Sequence, residues 1–381
     1  MPVFKTLILV LWIVDAVNCE FVRKDFFHTL FKGYESNFQP KENVTEDVDI
    51  HINYRIISIN HVSEIDQYIE TACKLLIKWT DQFLRWDSTV PGSPKYITVS
   101  ADKLWVPTIV VFNTFDNGQR YVSKDAKLIV QANGDVVWAS ENIFKTSCKI
   151  DIAKFPFDQQ TCSIVFSPPF THYSPYIFRL LKGKGLTSVY QESNEWSLVD
   201  TKVYKQYFNI SPIIHPDKGD LVLDMIIQRK YAFHVIKGVV PPTCLSILNC
   251  FVFRLPAASG ERLTMALSVL LSYTIYLSFI TESLPENSDR ICIFSIYLTS
   301  ILLLSIAIII GTIRSIALHC GTHDLPPWLC WMLRKRIQTV GENMDESHRA
   351  TVSQMYDKLM FIISICATCL VTVVCFTIML C

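Results

Sequence analysis

Hydrophobic and polar positions follow different patterns in the two halves of the chain. Up to about Tyr231, apolar and polar residues alternate in short runs, a pattern typical of half-buried β-strands. Beyond that point the apolar residues form long blocks, each close to the ~20 residues that a helix needs to cross a bilayer. The pattern predicts a β-rich region followed by membrane-spanning helices.

The alternating runs in residues 20–231 predict an antiparallel β-sandwich domain. Turn residues such as Asn133-Gly134-Asp135 separate the runs, and a short helix near Phe21–Tyr34 precedes them. The predicted strands are Asn53–Asn60, Cys73–Phe83, Leu128–Val130, Asp135–Ala139, Cys162–Phe166, Trp196–Tyr204 and Leu221–Ile227.

The apolar blocks in residues 232–381 predict a domain of four transmembrane helices, with spans at about 235–253, 263–281, 291–313 and 359–380. Pro241-Pro242 is expected to kink the first span. The connector, residues 314–358, carries basic residues and is expected to be cytoplasmic. Its later part, from Val340, is compatible with an amphipathic helix that leads into the last span.

Residues 1–19 have the features of a secretory signal peptide. Lys5 provides the charge, Leu7–Val14 the apolar core, and small residues follow. A membrane anchor is the alternative, but the apolar run is too short to span a bilayer. The β-sandwich is therefore expected to be extracellular or lumenal.

The second apolar block carries a stripe of residues spaced alternately by four and three positions, which places them on one helix face. Glu261 precedes the stripe, which consists of Thr264, Ser268, Leu271, Ile275, Ser278 and Glu282. Several copies around an axis would form a pore with acidic rings at its mouths, which favour cations, and an apolar girdle at mid-height. The alternative is a helix packed inside one bundle, where small residues permit close contact.

Composition narrows the classes of function. The 381 residues carry a formal net charge of zero, which argues against a nucleic-acid partner. The sequence has no glycine-rich phosphate loop, and its histidines lack the spacing of zinc ligands. We therefore expect neither an enzyme nor a bound metal or cofactor.

Only three cysteines lie between Glu20 and Tyr231. In an oxidising compartment Cys148 and Cys162 can pair and close a short loop. Cys73 is then predicted to be a buried thiol in a strand, with an intermolecular bridge as the alternative. Asn43 and Asn209 each begin an Asn-X-Ser/Thr pattern for glycosylation.

The segment CKIDIAKFPFDQQTC, from Cys148 to Cys162, resembles the signature loop of the Cys-loop receptors, the pentameric ligand-gated ion channels. Trp79-Thr80-Asp81 resembles a strand motif of that family, and Trp105-Val106-Pro107 its first binding loop. The segment Gly260–Glu282 is similar to the pore helix of its cation-selective, nicotinic acetylcholine receptor-like branch. The resemblance implies a homo- or hetero-pentamer of homologous subunits embedded in membrane lipid.

The resemblance also implies how the sandwich acts on the membrane domain. Arg229, just before the first span, would pair with Glu64. The signature loop would rest on the linker around Pro285 through Phe155, Pro156, Phe157 and Asp158. The alternative is that Arg229 and Glu64 are ordinary solvated charges, worth about 0–1 kcal/mol if paired.

The aromatic cage that holds a quaternary ammonium in the nicotinic branch is depleted here. Phe112 stands where the first loop has Tyr, Pro168-Pro169 replaces a Trp, and Leu223 replaces a later Tyr. Lys74 takes the place of the Trp on the complementary side, and Phe208–Asp220 lacks the paired cysteines. The sequence predicts that this subunit does not form an ordinary acetylcholine site by itself, and the ligand stays unknown.

Two functions follow from these observations. The first is a subunit of a cation-selective pentameric channel with an atypical agonist site, in the plasma membrane. Its selectivity is expected because Glu261 keeps an acid where the anion-selective branch has Arg. The second is a non-conducting or accessory membrane protein, including one that acts in an internal vesicle membrane.

Overall fold

The computed structural model describes residues 25–90, 93–115, 125–169, 174–180, 190–207, 218–257, 259–282, 292–320 and 346–380. Within them, the chain folds into two β-sheets followed by long helices. The strands are β1 (Val48–Ser63), β2 (Tyr68–Thr80), β3 (Tyr96–Ser100), β4 (Val110–Val111), β5 (Lys127–Gln131), β6 (Asp135–Ser147), β7 (Gln159–Ser167), β8 (Tyr176–Leu180), β9 (Trp196–Gln206) and β10 (Asp220–Arg229).

One sheet has the strand order β3-β5-β6-β2-β1-β8, and the other has the order β4-β7-β10-β9. Neighbouring strands are antiparallel except β1 and β8, which run parallel. Large side chains fill the core of the sandwich, among them Trp79, Phe144, Phe166 and Trp196. Burying each such side chain contributes about 1.5–3 kcal/mol or more, so the alternating pattern fixes which face of each strand points inward.

The predicted β-sandwich is confirmed, with differences in detail. Each of the seven predicted strands overlaps an observed one, but the predicted strand Cys73–Phe83 extends beyond the end of β2 at Thr80. The Asp81 carboxylate accepts the N–H of Phe83, and this turn ends the strand. The hydrophobic pattern does not predict β3, β4 and β8, since β4 has two residues and the others are short edge strands. The predicted helix near Phe21–Tyr34 is observed at residues 25–30 within the described part.

Among the described residues, four helical segments are long and apolar enough to cross a membrane. The first, Tyr231–Arg254, consists of α1 (Tyr231–Gly238), α2 (Val240–Cys250) and a 3₁₀ turn (Phe251–Arg254). Its interruption falls beside the Pro pair at the start of α2, where prolines lack an N–H to donate. The remaining helices are α3 (Glu261–Glu282), α4 (Ile293–Cys320) and α5 (Glu346–Leu380).

Helices extend into both ends of the predicted connector, residues 314–358. Helix α4 continues to Cys320, and α5 already begins at Glu346, so helix covers both ends of that range. The helices continue past the apolar blocks because polar residues there, such as Ser315 and Asp357, meet one another inside the protein. A helix leads into the last span, as expected. Residues 321–345, between the two helices, lie outside the described part.

Candidate functional site

The polar stripe of α3 faces away from the rest of the chain. Every stripe residue is exposed, including Leu271 at 62% and Ile275 at 51%, and so is Glu261. The opposite face is buried and consists of Arg262, Ala266, Val269 and Tyr273. The stripe therefore does not pack inside this chain's own bundle, which removes the packed-helix alternative.

Two tyrosines on the other side of α3 hold the helix against its neighbours. The Tyr273 hydroxyl donates to the carbonyl oxygen of Leu298 in α4 at 2.5 Å. The Tyr276 hydroxyl donates to the carbonyl oxygen of Gly238 in α1 at 2.7 Å. These bonds set the rotation of α3 about its own axis, and the stripe points outward as a result. Stripe hydroxyls bond within the helix, as Ser268 does to the carbonyl of Thr264.

A buried ion pair anchors the end of α3 that lies farther from the sandwich. Arg262 is fully buried and contacts Asp357 of α5 through two pairs of atoms, at 2.5 and 3.1 Å. The Ser315 hydroxyl of α4 donates to Asp357 at 2.6 Å and accepts from Arg262 at 3.2 Å. Three helices therefore meet at one charge pair. Neighbouring Glu261 points to the exposed face, so Arg262 does not neutralise it.

This ion pair was not predicted from the sequence. Arg262 and Asp357 are 95 positions apart, and both lie beside apolar blocks where charges usually face water. The available signal was the position of Arg262 one residue after Glu261, because adjacent helix residues point about 100° apart. If Glu261 faces a pore, Arg262 must face the protein interior and needs an acidic partner there.

Arg229 lies at the end of β10, where the sandwich meets the first span, and its side chain is 2% exposed. Its Nε lies 2.7 Å from Oδ1 of Asp158, and its Nη1 lies 2.6 Å from Oε1 of Glu64. Burial lowers the pKa of Arg229, but the bonds to the two carboxylates outweigh burial and the net pKa is raised. The structure brings Arg229 and Glu64 together as expected, and adds Asp158 as the more buried partner.

Aromatic rings complete the surroundings of Arg229. The guanidinium carbon lies 4.3 Å from the ring centroid of Trp196 and 5.0 Å from that of Phe155. Such stacking is attractive through the ring quadrupole and excludes water from the ion pairs. Arg229 is therefore not an ordinary solvated charge, whereas Glu64 keeps partial contact with water.

The signature loop reaches the membrane helices through Phe155. Its ring centroid lies 5.7 Å from that of Phe294, near the start of α4, and 5.4 Å from that of His234 in α1. The backbone N–H of Ile293 donates to the carbonyl of Ala153 in the loop at 3.1 Å. A movement of the loop would therefore pull directly on the start of α4.

Phe157 makes the second group of contacts, on the other side of Pro156. Its ring centroid lies 5.0 Å from that of Tyr231 at the start of α1 and 5.6 Å from that of Phe376 near the end of α5. The expected contact with Pro285 lies outside the described residues. The described contacts of the loop thus reach the first, third and fourth spans.

The pairing of the cysteines in the sandwich agrees with the prediction from the sequence. Cys148 and Cys162 form a disulfide, with Cα atoms 5.2 Å apart. Cys73 is a free thiol, fully buried in β2, and burial raises its pKa to about 12. A buried neutral thiol does not reach another chain, so the intermolecular bridge is ruled out.

We expect Cys148→Ser to prevent assembly, because the disulfide holds Phe155 and Phe157 against the spans. Closing a loop of this size contributes roughly 3 kcal/mol in the chain-entropy model. Surface biotinylation is expected to find the variant retained inside the cell, whereas Cys244→Ser, at an exposed free thiol, reaches the surface. Peptide mapping without reduction is expected to find the Cys148–Cys162 link. Two free thiols, or a bridge to Cys73, would contradict the assignment.

The residues that the resemblance places at the agonist cage differ in exposure. Phe112 is 68% exposed, whereas Leu223 is buried and does not reach that surface. Lys74 is not an isolated cation, because its Nζ lies 2.6 Å from Oε1 of Glu141 on the neighbouring strand. The repulsion expected from Lys74 is therefore reduced. Most of the third loop, residues 208–217, lies outside the described part and includes Asn209.

Asn43, the other predicted glycosylation site, lies in an exposed turn. Its Oδ1 accepts from the N–H and the hydroxyl of Thr45. The side chain is accessible from solvent at this position.

Both regions of the chain match one family of channels. Residues 23–231 match the neurotransmitter-gated ion-channel ligand binding domain, and residues 239–350 match the neurotransmitter-gated ion-channel transmembrane region. The chain therefore belongs to the neurotransmitter-gated ion-channel family, which consists of ligand-gated channels and not of enzymes. With four apolar helices, it is a multi-pass membrane protein.

Within that family the chain is similar to nicotinic acetylcholine receptor subunits. It is 31% identical to acetylcholine receptor subunit alpha-1-B of Xenopus laevis over 305 residues, which cover 79% of this chain and 66% of that protein. It is 32% identical to human neuronal acetylcholine receptor subunit alpha-6 over 331 residues, 85% of this chain and 66% of the relative. It is 31% identical to human neuronal acetylcholine receptor subunit alpha-3 over 329 residues, which cover 85% of this chain and 64% of that protein. The chain thus spans about two thirds of the length of these relatives.

Proposed function

We propose that this protein is a subunit of a cation-selective pentameric ligand-gated ion channel whose agonist site differs from the acetylcholine cage. The observation that carries the proposal is the exposed stripe of α3, with a carboxylate at each end and aliphatic residues between them. Its relatives are named as acetylcholine receptor subunits, and we infer that its partners are homologous subunits.

The stripe acts as a pore lining when several copies surround one axis. Glu261 and Glu282 then form acidic rings at the two mouths, which concentrate cations and repel anions. Leu271 and Ile275 form the apolar girdle, which closes the pore by excluding water. Residues 20–231 form the extracellular domain in this proposal, and residues 232–381 form the membrane domain.

The ligand would be a small molecule that does not depend on a full aromatic cage. Each aromatic residue that is replaced removes about 0.5–2 kcal/mol of cation–π attraction for a quaternary ammonium. The Lys74–Glu141 ion pair offers one charge of each sign instead, so it suits a polar or zwitterionic group better than a lone cation.

Ion selectivity tests the proposal. The protein is expressed alone and together with nicotinic receptor subunits, and the reversal potential is measured while sodium or chloride is replaced. We expect the potential to follow sodium and potassium, and Glu261→Gln to lower the preference for cations. Glu42→Gln, at an exposed glutamate of the sandwich, is the matched control and is expected to change nothing. A potential that follows chloride would overturn the proposal.

We expect Leu271→Thr to produce leak current or raised agonist sensitivity, because a hydroxyl in the girdle favours water in the closed pore. Leu303→Thr is the matched control, since Leu303 lies in α4 and is 61% exposed, against 62% for Leu271. Single-channel recording distinguishes the effects of the two substitutions. Equal effects of both substitutions, or no effect of the first on a functional channel, would argue against the girdle.

The incomplete cage supports a second candidate function, an accessory subunit that does not conduct by itself. It would assemble with receptor subunits at the plasma membrane or act in an internal vesicle membrane. A tagged copy is stained with and without permeabilisation, alone and with receptor subunits. Vesicle staining without current favours this function, and a robust homomeric current excludes a purely accessory role.

A further inference from the structure

An exposed apolar patch lies at the end of the sandwich that is farthest from the membrane helices. Strand β1 has 16 residues and ends beside Glu64, at the junction with the spans, so its start at Val48 lies about 50 Å away. The apical patch consists of Phe38, Val44 and Phe83, which are 72%, 80% and 51% exposed. Neither the coupling loop nor the proposed pore face uses these residues.

Hydrogen bonds bring the members of the apical patch together. The side-chain amide of Gln39 donates to the carbonyl of Val44 at 2.6 Å and closes the loop before β1. The side-chain oxygen of Gln82, just after β2, accepts the N–H of Glu42 in that loop at 2.8 Å. The two phenylalanines of the patch adjoin Gln39 and Gln82 in the sequence, and consecutive Cα atoms are about 3.8 Å apart. The three apolar side chains therefore start from one small area.

The predicted glycosylation site Asn43 lies inside the same loop, directly before Val44. Its Oδ1 accepts from the N–H and the hydroxyl of Thr45, and its Nδ2 donates to Oε1 of Glu46 at 3.3 Å. In glycosylation, a diphosphate-activated oligosaccharide gives its anomeric carbon to Nδ2, the diphosphate leaves, and Nδ2 loses one proton. The second Nδ2 hydrogen stays available for Glu46, so the first sugar is attached to a side chain that its neighbours hold in place.

A glycan on Asn43 suits the apical patch better than a second protein does. The C–H groups on one face of N-acetylglucosamine carry positive partial charge, whereas the faces of aromatic rings are negative. The attached chain is bulky and polar, and it keeps other proteins away from the adjoining residues. The same loop carries the exposed ion pair of Lys41 and Glu46, at 3.4 Å, and such charges are depleted at the core of protein interfaces.

We propose that the first two N-acetylglucosamine units of a glycan on Asn43 pack on Phe38 and Phe83 and cover the apical patch. The inference goes beyond channel activity. It depends on exposure of the sandwich to the compartment where glycans are added, and it holds for a conducting or an accessory subunit. The packed glycan joins the loop before β1 to the turn after β2, so it stabilises the end of the sandwich distant from the membrane.

A double-mutant cycle tests the proposal on the full-length protein, made in glycosylating cells and purified in detergent. Asn43→Gln removes the glycan, Phe38→Ser removes the most exposed ring, and the melting temperature is measured for both and for the double variant. We expect Asn43→Gln to lower the melting temperature by about 2–4 °C, and to have little further effect when Phe38 is already replaced. An equal effect of Asn43→Gln with and without Phe38 would overturn the proposal.

The matched control is Tyr96→Ser, because Tyr96 is 62% exposed and lies on β3, which two strands separate from β2. It is expected to leave the effect of Asn43→Gln unchanged. A reduction of that effect by Tyr96→Ser as large as the one by Phe38→Ser would contradict packing at the apical patch.

The rate at which peptide N-glycosidase F releases the glycan gives a second measurement. The rate on the native protein is divided by the rate on the denatured protein, so that differences in the glycan itself cancel. We expect Phe38→Ser to raise this ratio about fivefold, because the sugars are no longer held on the ring, and Tyr96→Ser to leave it unchanged. Equal ratios for the wild type and Phe38→Ser, or a mass spectrum that shows Asn43 unmodified, would contradict the proposal.

Discussion

Arg229→Ala is expected to cost about 3–5 kcal/mol of folding free energy, because it leaves a buried carboxylate without its cation. Asp158 is 2% exposed and has two atoms bonded to Arg229. The sandwich would then have to take up water around Asp158 at its junction with the spans. We expect a large fall in the melting temperature of the full chain and little assembled protein at the cell surface.

The two carboxylates around Arg229 allow a graded test. Asp158→Asn is expected to destabilise more than Glu64→Gln, since the side chain of Glu64 is 25% exposed and water can replace its bond. Lys230→Gln is the matched control, because Lys230 is the next residue and its pair with Glu192 is exposed. Exposed pairs contribute about 0–1 kcal/mol. A loss of folding free energy in Lys230→Gln as large as that in Arg229→Ala would contradict a special role for the buried ion pairs of Arg229.

This network also explains how the sandwich is joined to the membrane domain. Arg229 stacks on Phe155, and Phe155 packs on Phe294 of α4. A displacement of β10 therefore reaches α4 through three packed groups. From α4 the hydrogen bond between Leu298 and Tyr273 leads to α3. The chain of contacts offers a route from the sandwich to the proposed pore helix.

The sequence predicted those features that depend on local pattern. The strands follow from alternation, the spans from block length, and the stripe of α3 from its spacing. Seven of the ten described strands and all four described spans therefore overlap their predicted ranges. The signature loop was found because two cysteines and an unusual turn lie in fifteen consecutive residues, Cys148–Cys162. Local spacing and composition determine all of these.

Features that depend on distant pairing could not be predicted. Asp158 lies 71 positions from Arg229, and Glu141 lies 67 from Lys74, so only the strand register shows that they meet. The burial of Leu223 could not be predicted either. The first four residues of β10 are all buried, so the alternation that assigns a residue to one face fails there.

We expect Asp357→Leu to be as disruptive as Arg229→Ala, because it leaves a fully buried guanidinium without a counter-charge. Breaking a buried pair by removing one partner costs about 3–5 kcal/mol. Arg262 joins α3 to α4 and α5 through this pair. Its loss therefore destabilises the anchored end of the proposed pore helix. The destabilisation is measured as a fall in the melting temperature and in the assembled fraction of the full chain. Arg314→Gln, at an exposed arginine of α4, is the control and is expected to change neither.

The double variant Arg262→Met/Asp357→Leu separates a structural cost from a need for the charges. Replacing both partners of a buried pair by apolar residues is often neutral or stabilising, so the double variant is expected to recover most of the melting temperature. Recovery of stability with altered gating would show that the ion pair sets the position of α3 during opening. Failure of the double variant to recover would contradict the pairing of Arg262 with Asp357, because the two substitutions would then act independently.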